Sequence, residues 1–508
     1  MTPDRLRYRF GPLERRGLIA GWRGGQIVSV ALGLVVGVIA LRAGPGVGTV
    51  LVAVVSVAGG VALACWPVSG RTGEEWLPTV VRWSAQNAQG ARRFRWSGPV
   101  EGHARCSEGA GEGAICLRSD DTGRRRGPFE GLAILEVDGG PNAQPFGVLH
   151  DRRGRTYAAV LAVRSNNFAL LGVTDKERRI AGWSTVLAGL ARERSTVHRL
   201  QWIAAALLDD GGALRAHLAQ RGVEGEAAAA RRSYEDLLRS SGATTCRHET
   251  LIVVQVSASR VSGRAARAAG GGASASCALL WREVSNLRRL LDEADVTVEQ
   301  ILTPAALSAV VRRSGEDRPL VGDGADGEAC RDRCRACATW PWPMAVATEW
   351  GCLRTDATWH ATYWISEWPR VDVGPDFLGP LLLGSVRRSV AVVMEPLSPS
   401  RAVRQVEQAR TADLADSELR RRGGFLSTAR RAREEAFVSR REQELADGHA
   451  SFRFSGYVTV TAGTREELER ACEATEQAAG QCRLELRRLY GDQDRGFMCT
   501  LPLCRGLS

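Results

Sequence analysis

Two uncharged stretches separated by one arginine decide the architecture: GGQIVSVALGLVVGVIAL at 24–41 and AGPGVGTVLVAVVSVAGGVALACWPVSG at 43–70, with Arg42 between them. At about 1.5 Å rise per residue the first reaches about 27 Å, against a hydrocarbon core of about 30 Å, and the second has length to spare. Neither stretch shows the polar face that a helix at the surface of a soluble protein keeps toward water. The sequence therefore predicts a two-span helical hairpin over 24–67, turned at Gly44-Pro45-Gly46. Arginine counts orient it. Arg5, Arg7, Arg9, Arg15, Arg16 and Arg23 precede the first stretch, and Arg71, Arg82, Arg92, Arg93 and Arg95 follow the second. By the positive-inside rule both termini are expected in the cytoplasm, at the inner (plasma) membrane, with the turn on the far side.

The remaining chain has ordinary globular composition: of 508 residues 44% are apolar and 25% charged, which excludes wholly disordered and collagenous classes. Net charge is +11, carried almost entirely by arginine, since Lys176 is the only lysine. A Walker A loop, a kinase phosphate-binding lysine and a Schiff-base lysine each need an ammonium in a defined setting. Lys176 stands in Thr-Asp-Lys-Glu-Arg-Arg without a preceding glycine loop, so the chain is expected not to hydrolyse ATP and not to be an enzyme. Thirteen cysteines, an odd number spread irregularly, do not form the pattern of a secreted disulfide scaffold. Ala62-Leu63-Ala64-Cys65 is a poor lipobox and lies behind two apolar runs rather than one.

Local patterns divide the rest into an α+β layout: a basic N-terminus (1–23), the hairpin (24–67), a juxtamembrane connector and loop (68–130), an α+β domain (131–399), a charged helical arm (400–447) and a closing strand–helix–strand unit (448–508). Glu75–Trp83 reads as an amphipathic helix whose tryptophans lie at headgroup level or pack on the soluble domain. Strands are predicted at 131–137, 157–163, 251–256, 358–368, 388–395 and 452–461. Helical periodicity is read over 176–240, with Trp183, Leu187 and Leu190 and then Leu200, Ile203, Ala204 and Leu207 on one face. Residues 264–276 read as a linker and 277–291 as a helix with a Leu280, Val284, Leu287, Leu291 stripe. The arm breaks at Gly423-Gly424 and ends at Gly448. Thr464 and Glu467 form a capping box for a helix running to Gly480, and 482–489 returns as a strand.

Candidate chemistry is sparse. Cys330, Cys334 and Cys337 have the spacing of an iron–sulfur or zinc site, with Cys352 or His360 as a fourth ligand, but their arginine- and aspartate-rich surroundings read as a solvated loop. No metal and no cofactor are expected. Gly322-Asp323-Gly324-Ala325-Asp326-Gly327 matches G-x-G-x-x-G, yet its aspartates would repel a pyrophosphate. The seven histidines form no H-E-x-x-H motif, and the sequence has no G-x-S-x-G elbow. Arg420, Arg421, Arg422, Arg430, Arg431 and Arg433 in the arm are candidate phosphate contacts for nucleic acid. Glu434, Glu435, Glu442 and Glu444 are interleaved with them at helical spacing, so ion pairing on a solvated face is the simpler account.

Arg15-Arg16-Gly17 followed by the hairpin resembles the PrgI-type inner-membrane subunits of type IV secretion and conjugation systems, over about 70 residues. The strand Thr358–Ile365, Trp368-Pro369, Leu381-Leu382-Leu383, the strand Arg388–Glu395 with Pro396, the arm leading into Phe452–Thr461, and Phe497-Met498-Cys499-Thr500-Leu501-Pro502-Leu503 together resemble the N-terminal, non-hydrolytic domain of the conjugative-transfer ATPase. The fusion resembles actinobacterial membrane proteins of conjugation-like gene clusters. This resemblance implies a non-catalytic scaffold that anchors a separate ATPase and contacts other secretion subunits. The sequence stops at Ser508, where the relatives' motor begins, and the Cys330–Cys337 insertion is foreign to the family. Phe497, Leu501, Pro502 and Leu503 are then the expected docking segment for the ATPase, removable without harm to the fold, with the arm as second candidate. Homo-oligomerisation through the arm, or a membrane-tethered nucleic-acid-binding role for it, are the other arrangements the sequence admits.

Overall fold

Inside a bilayer, Ala-, Val- and Gly-rich runs without charge could satisfy their backbone only internally, and both runs form helices: α1 (Gly24–Arg42) and α2 (Val47–Cys65). The computed structural model describes residues 10, 24–44, 46–65, 67–68, 71–95, 118–119, 127–138, 145–165, 168–193, 195–208, 233, 236–237, 246–260, 272–315, 342–423 and 429–507. These fall into two units, one of residues 11–92 and 409–435, the other of 1–10, 93–408 and 436–508.

In the first unit α1 and α2 form an antiparallel hairpin. Thr49 closes its turn: the hydroxyl bonds the carbonyls of Gly44 and Gly46, at 2.8 and 2.7 Å, at the first turn of α2. Strands β1 (Pro67–Val68) and β2 (Arg71–Thr72) pair antiparallel and lead into α3 (Gly73–Ala88).

The second unit is built on one antiparallel sheet. Its strands are β3 (Arg93–Arg95), β4 (Arg118–Ser119), β5 (Leu132–Val137), β6 (Phe146–Asp151), β7 (Thr156–Ser165), β8 (Val197–Leu208), β9 (Cys246–Ser257), β10 (Val296–Ile301), β11 (Ala345–Thr348), β12 (Leu353–Thr355), β13 (Thr358–Glu367), β14 (Arg388–Pro396), β15 (Phe452–Ala462) and β16 (Glu485–Arg488). Its helices are α4 (Val173–Leu190), α5 (Gly272–Glu293), α6 (Pro304–Gly315), the single turn α7 (Gly379–Leu382), α10 (Arg465–Gln481) and α11 (Gln493–Thr500). The arm helices α8 (Pro399–Gly423) and α9 (Ala429–Ala446) cross between the units in sequence.

Strand pairing exposes an internal duplication. β5-β6-β7-β9-β8, with β10 also on β7, repeats as β11-β12-β13-β15-β14, with β16 also on β13. The two sets join through equivalent strands, β8 against β14, from Leu200 opposite Met394 to Ala206 opposite Arg388. Backbone details repeat with the topology. Leu302 donates to the Val160 carbonyl and Leu489 to the Thr362 carbonyl, both at 2.9 Å. Left-handed residues recur in the β6–β7 and β12–β13 turns (Arg155, φ 51°; Asp356, φ 47°) and after the long helices (Asp295, φ 59°; Arg483, φ 58°). Even the sequence carries a trace, Gly147-Val148-Leu149 then Thr156-Tyr157 against Gly351-Cys352-Leu353 then Thr358-Trp359.

Alternation on the strands makes three cores. Tyr157, Ala159, Leu161, Ile252 and Val254 face α4 and α5, meeting Leu190, Leu280, Val284 and Leu287. Ala361, Tyr363, Ile365 and Val458 face α10, meeting Leu468, Cys472 and Ala479. On the opposite face Ala158, Val160, Val253 and Val393 share one core with Leu307 of α6 and with Phe497, Met498, Leu501 and Leu503.

Several expectations are corrected. Residues 197–208 are strand β8, not a continuation of the α4 helix; flanked by β9 and β14 and covered on both faces, the strand carries no period-2 alternation to announce it. The helix read from 277 starts at Gly272, inside the expected linker. The last strand starts at Glu485 rather than Cys482, because the chain first turns through left-handed Arg483. The closing strand–helix–strand unit feeds back onto the earlier strands, as the sequence predicts: β15 and β16 pair with β13 inside the main sheet. The α+β class, the two apolar N-terminal helices, the Gly423 break and the Thr464 cap on the Glu467 N–H at 3.2 Å stand as expected.

Candidate functional site

The small residues of α1 and α2 occur every fourth position, Ser29, Gly33 and Gly37 on one helix and Ser56, Gly60 and Ala64 on the other, so each set lines one face. These faces meet. Gly33, Gly37, Ala53, Gly60 and Ala64 are buried. A Cβ on Gly33 would stand 2.7 Å from the Ser56 carbonyl oxygen, and one on Gly60 2.8 Å from that of Ser29. The Ser56 hydroxyl bonds the Gly33 carbonyl across the seam at 3.2 Å, and Gln26 Nε2 donates to the Ala64 carbonyl at 2.8 Å. Close backbone approach with a few interhelical hydrogen bonds is how apolar helices associate where lipid is the solvent. Most of the large side chains on the pair point outward, including Leu32, Ile39, Leu51, Val54 and Leu63, each more than half exposed. Both helices are long and apolar enough to cross a membrane. The four-residue spacing of small residues is the sequence signal for this seam, and composition alone passes over it.

Helix α3 carries the two tryptophans that the sequence places at headgroup level or against the soluble domain. Trp76 and Trp83 are half-buried, with the Arg92 guanidinium 4.4 Å over the Trp83 ring, while Leu77, Val80 and Val81 are exposed.

The arm is rooted in the second unit. Glu193 accepts from the backbone N–H and hydroxyl of Ser400 at the start of α8, where a carboxylate is favoured by the helix dipole, and these bonds lower its pKa. Ala402, Val406 and Val438 are buried there. Farther out the arginines are engaged: Arg421 and Arg422 both pair with Glu418, at 3.1 and 3.0 Å, and Arg440 with Glu444 at 3.0 Å. Arg433 is exposed; the side chains of Arg420, Arg430 and Arg431 lie outside the described residues. Cys330, Cys334, Cys337 and the 322–327 glycine run lie outside them as well.

The two residues named as fourth ligands have structural partners. Cys352 is buried, its thiol pushed up to about 12 chiefly by burial, and bonds Glu349. His360 lies fully buried between two threonines. Thr355 Oγ1 gives its proton to the Gly315 carbonyl at 2.8 Å, so His360 Nε2–H donates to Thr355 at 2.6 Å, and Nδ1 accepts from Thr461 at 3.0 Å. The ring is thereby fixed as a neutral tautomer, 4.6 Å from the Phe497 ring, and burial, aided by Arg387, holds its pKa down at about 3. A second polar chain, Thr362, Thr459 and Thr500, runs beside it.

This buried base makes the body acid-sensitive. An unfolded histidine titrates at 6.5, so between that pH and about 3 the unfolded chain holds a proton that the native chain refuses. The stabilisation is complete above pH 6.5 and declines as pH falls, by a total on the order of 5 kcal/mol at about 1.4 kcal/mol per pH unit. Denaturant unfolding at pH 7, 6 and 5 is expected to show this loss in the native chain, with a shallower decline in His360→Gln.

The expected docking segment is interior. Phe497, Leu501 and Leu503 are 2%, 1% and 4% exposed, and Pro502 is buried with them. Sequence reasoning took the end of the chain for a surface because nothing local marks its partners, Gln201 and Gln255, which hold the backbone of this segment from about 250–300 residues away.

Compared with known proteins, the chain matches no family model and no curated relative.

Proposed function

We propose that this protein is a non-catalytic membrane-anchored scaffold, of the type IV secretion-like kind its sequence resembles, that holds a separate ATPase at the cytoplasmic face. The observation that carries the reading is the hairpin, two apolar helices locked on a small-residue seam with their outer faces uncovered, attached to a duplicated sheet. Arginines on both flanks favour cytoplasmic termini. Among the described residues, His360 is buried and neutral and the Cys352 and Cys504 thiols are buried and protonated, which suits cores rather than catalysts. With the C-terminal segment taken up inside the body, the arm is the docking surface of this proposal. The ion pairs on Glu418 weigh against a nucleic-acid role for Arg421 and Arg422.

Replacing 411–433 by a short Gly/Ser loop is expected to leave membrane insertion and the body's unfolding midpoint unchanged and to abolish pull-down of the ATPase encoded beside it. Undiminished capture would remove the arm from this role. Reporter fusions after Gly70 and at Gly46 are expected to read cytoplasmic and external respectively, and an external body would end the scaffold reading, since a cytoplasmic motor could not reach it.

A further inference from the structure

Helix α3 begins where α2 ends. A Cβ on Gly73 would lie 2.9 Å from both the carbonyl oxygen and Cδ2 of Leu63, so only glycine lets the first turn of α3 press against the last full turn of α2. From that fixed start the helix runs about 24 Å over its 16 residues. Its faces are inverted relative to a helix in water. Thr79 is 6% exposed and Glu75, Arg82 and Gln86 are half-buried, while Leu77 and Val81 stand out at 62% and 59%, flanked by Val80 and continued by exposed Ala85 and Ala88 one and two turns on. Each such aliphatic side chain gains roughly 1.5–3 kcal/mol when removed from water, so a stripe of this kind calls for a cover.

We propose that α3 lies in the plane of the membrane surface, with Leu77, Val80 and Val81 sunk into the headgroup–acyl boundary beside the exit of α2. The proposal rests on reading α1 and α2 as spans. On that reading Leu63 sits at the bilayer edge, and the contact with Gly73 sets the start of α3 at the same depth, so the occupant of its outward face is lipid rather than another protein. The polar face then turns away from the acyl chains. Trp83, engaged by Arg92 on the other side, is not the membrane anchor; the aliphatic residues are.

The test uses the full-length chain in nanodiscs of phosphatidylethanolamine and phosphatidylglycerol, with a diazirine amino acid introduced singly at position 81, at 79 and at 35, where Val35 faces outward on α1. Lipid adducts are expected at 35 and 81 in comparable yield, and at 79 about ten-fold lower, as one-sided burial of an amphipathic helix requires. Adducts at 35 but not at 81, or equal yields at 79 and 81, would overturn the proposal while leaving the spans in place. No adduct at 35 would overturn the span reading and the proposal with it.

Discussion

Deletion of Phe497–Ser508 is expected to unfold the body of the protein rather than merely to blunt a docking surface. The segment inserts Phe497, Met498, Leu501, Leu503 and Cys504 into the core that also holds Phe129, Leu149, Val160 and Val253 of the first repeat, with Trp342 just ahead of β11. It is a staple carried by the second repeat into the first. Its backbone is held as tightly as its side chains. Gln201, fully buried, donates through Nε2 to the carbonyls of Cys499 and Leu501 at 2.9 and 3.0 Å and accepts from the Cys504 N–H at 2.7 Å. Gln255 donates to the Leu503 carbonyl at 3.0 Å, Arg199 reaches the carbonyls of Cys504 and Leu507, and Arg505 grips Asp151 through two nitrogens. Removing one large buried side chain costs about 2–5 kcal/mol, and leaving a buried amide without partners adds about 1–3 kcal/mol. Several such losses together exceed the 5–15 kcal/mol by which a typical domain is stable. The truncated chain is expected to lack a cooperative unfolding transition, and Phe497→Ala, a graded version, to lower stability by about 3–5 kcal/mol in denaturant unfolding. A truncated protein with the native midpoint would show that this core is dispensable.

How far the fold is legible follows from where its information is stored. The hairpin is stored locally, as two uncharged runs, and so are β13, β14, β15 and the Thr464-capped α10, whose ends are marked by turn and capping residues. β8 is stored in its neighbours: Leu200, Ile203 and Ala206 suit a helix as well as a central strand, and pairing with β9 and β14 decides between them. The duplication is nearly erased, because residues 209–245 in one repeat and the arm in the other interrupt equivalent hairpins with unrelated sequence, leaving little more than the Gly-x-Leu and Thr-aromatic pairs. Among the candidate sites, the arm's ion pairing is readable from Glu and Arg spacing. The interior role of Phe497–Leu503 is not, since it depends on Gln201 and Gln255 far away in sequence.

The second large effect concerns neighbouring glycines that a sequence pattern would treat alike. Gly59 and Gly60 are adjacent on α2, yet a Cβ at Gly59 meets nothing within 4 Å, whereas one at Gly60 lies 2.8 Å from the Ser29 carbonyl oxygen and 3.3 Å from Gly33 Cα. The opposing atoms are backbone, so a larger residue at 60 has no side chain to push aside; the helices must separate. Separation withdraws the Ser56 hydroxyl from the Gly33 carbonyl and opens the contacts that take the place of the hydrophobic effect between apolar helices. Overpacking a close interface costs about 1–3 kcal/mol, and a shift along the whole seam lies at the upper end. Gly60→Leu and Gly33→Leu are therefore expected to weaken α1–α2 association strongly, seen as a lower thermal midpoint in detergent and faster protease cleavage near Gly46. Gly59→Leu, which adds the same bulk one residue away, is expected to match the native chain in both measurements. Equal behaviour of the variants at 59 and 60 would mean that the helices do not meet on this face.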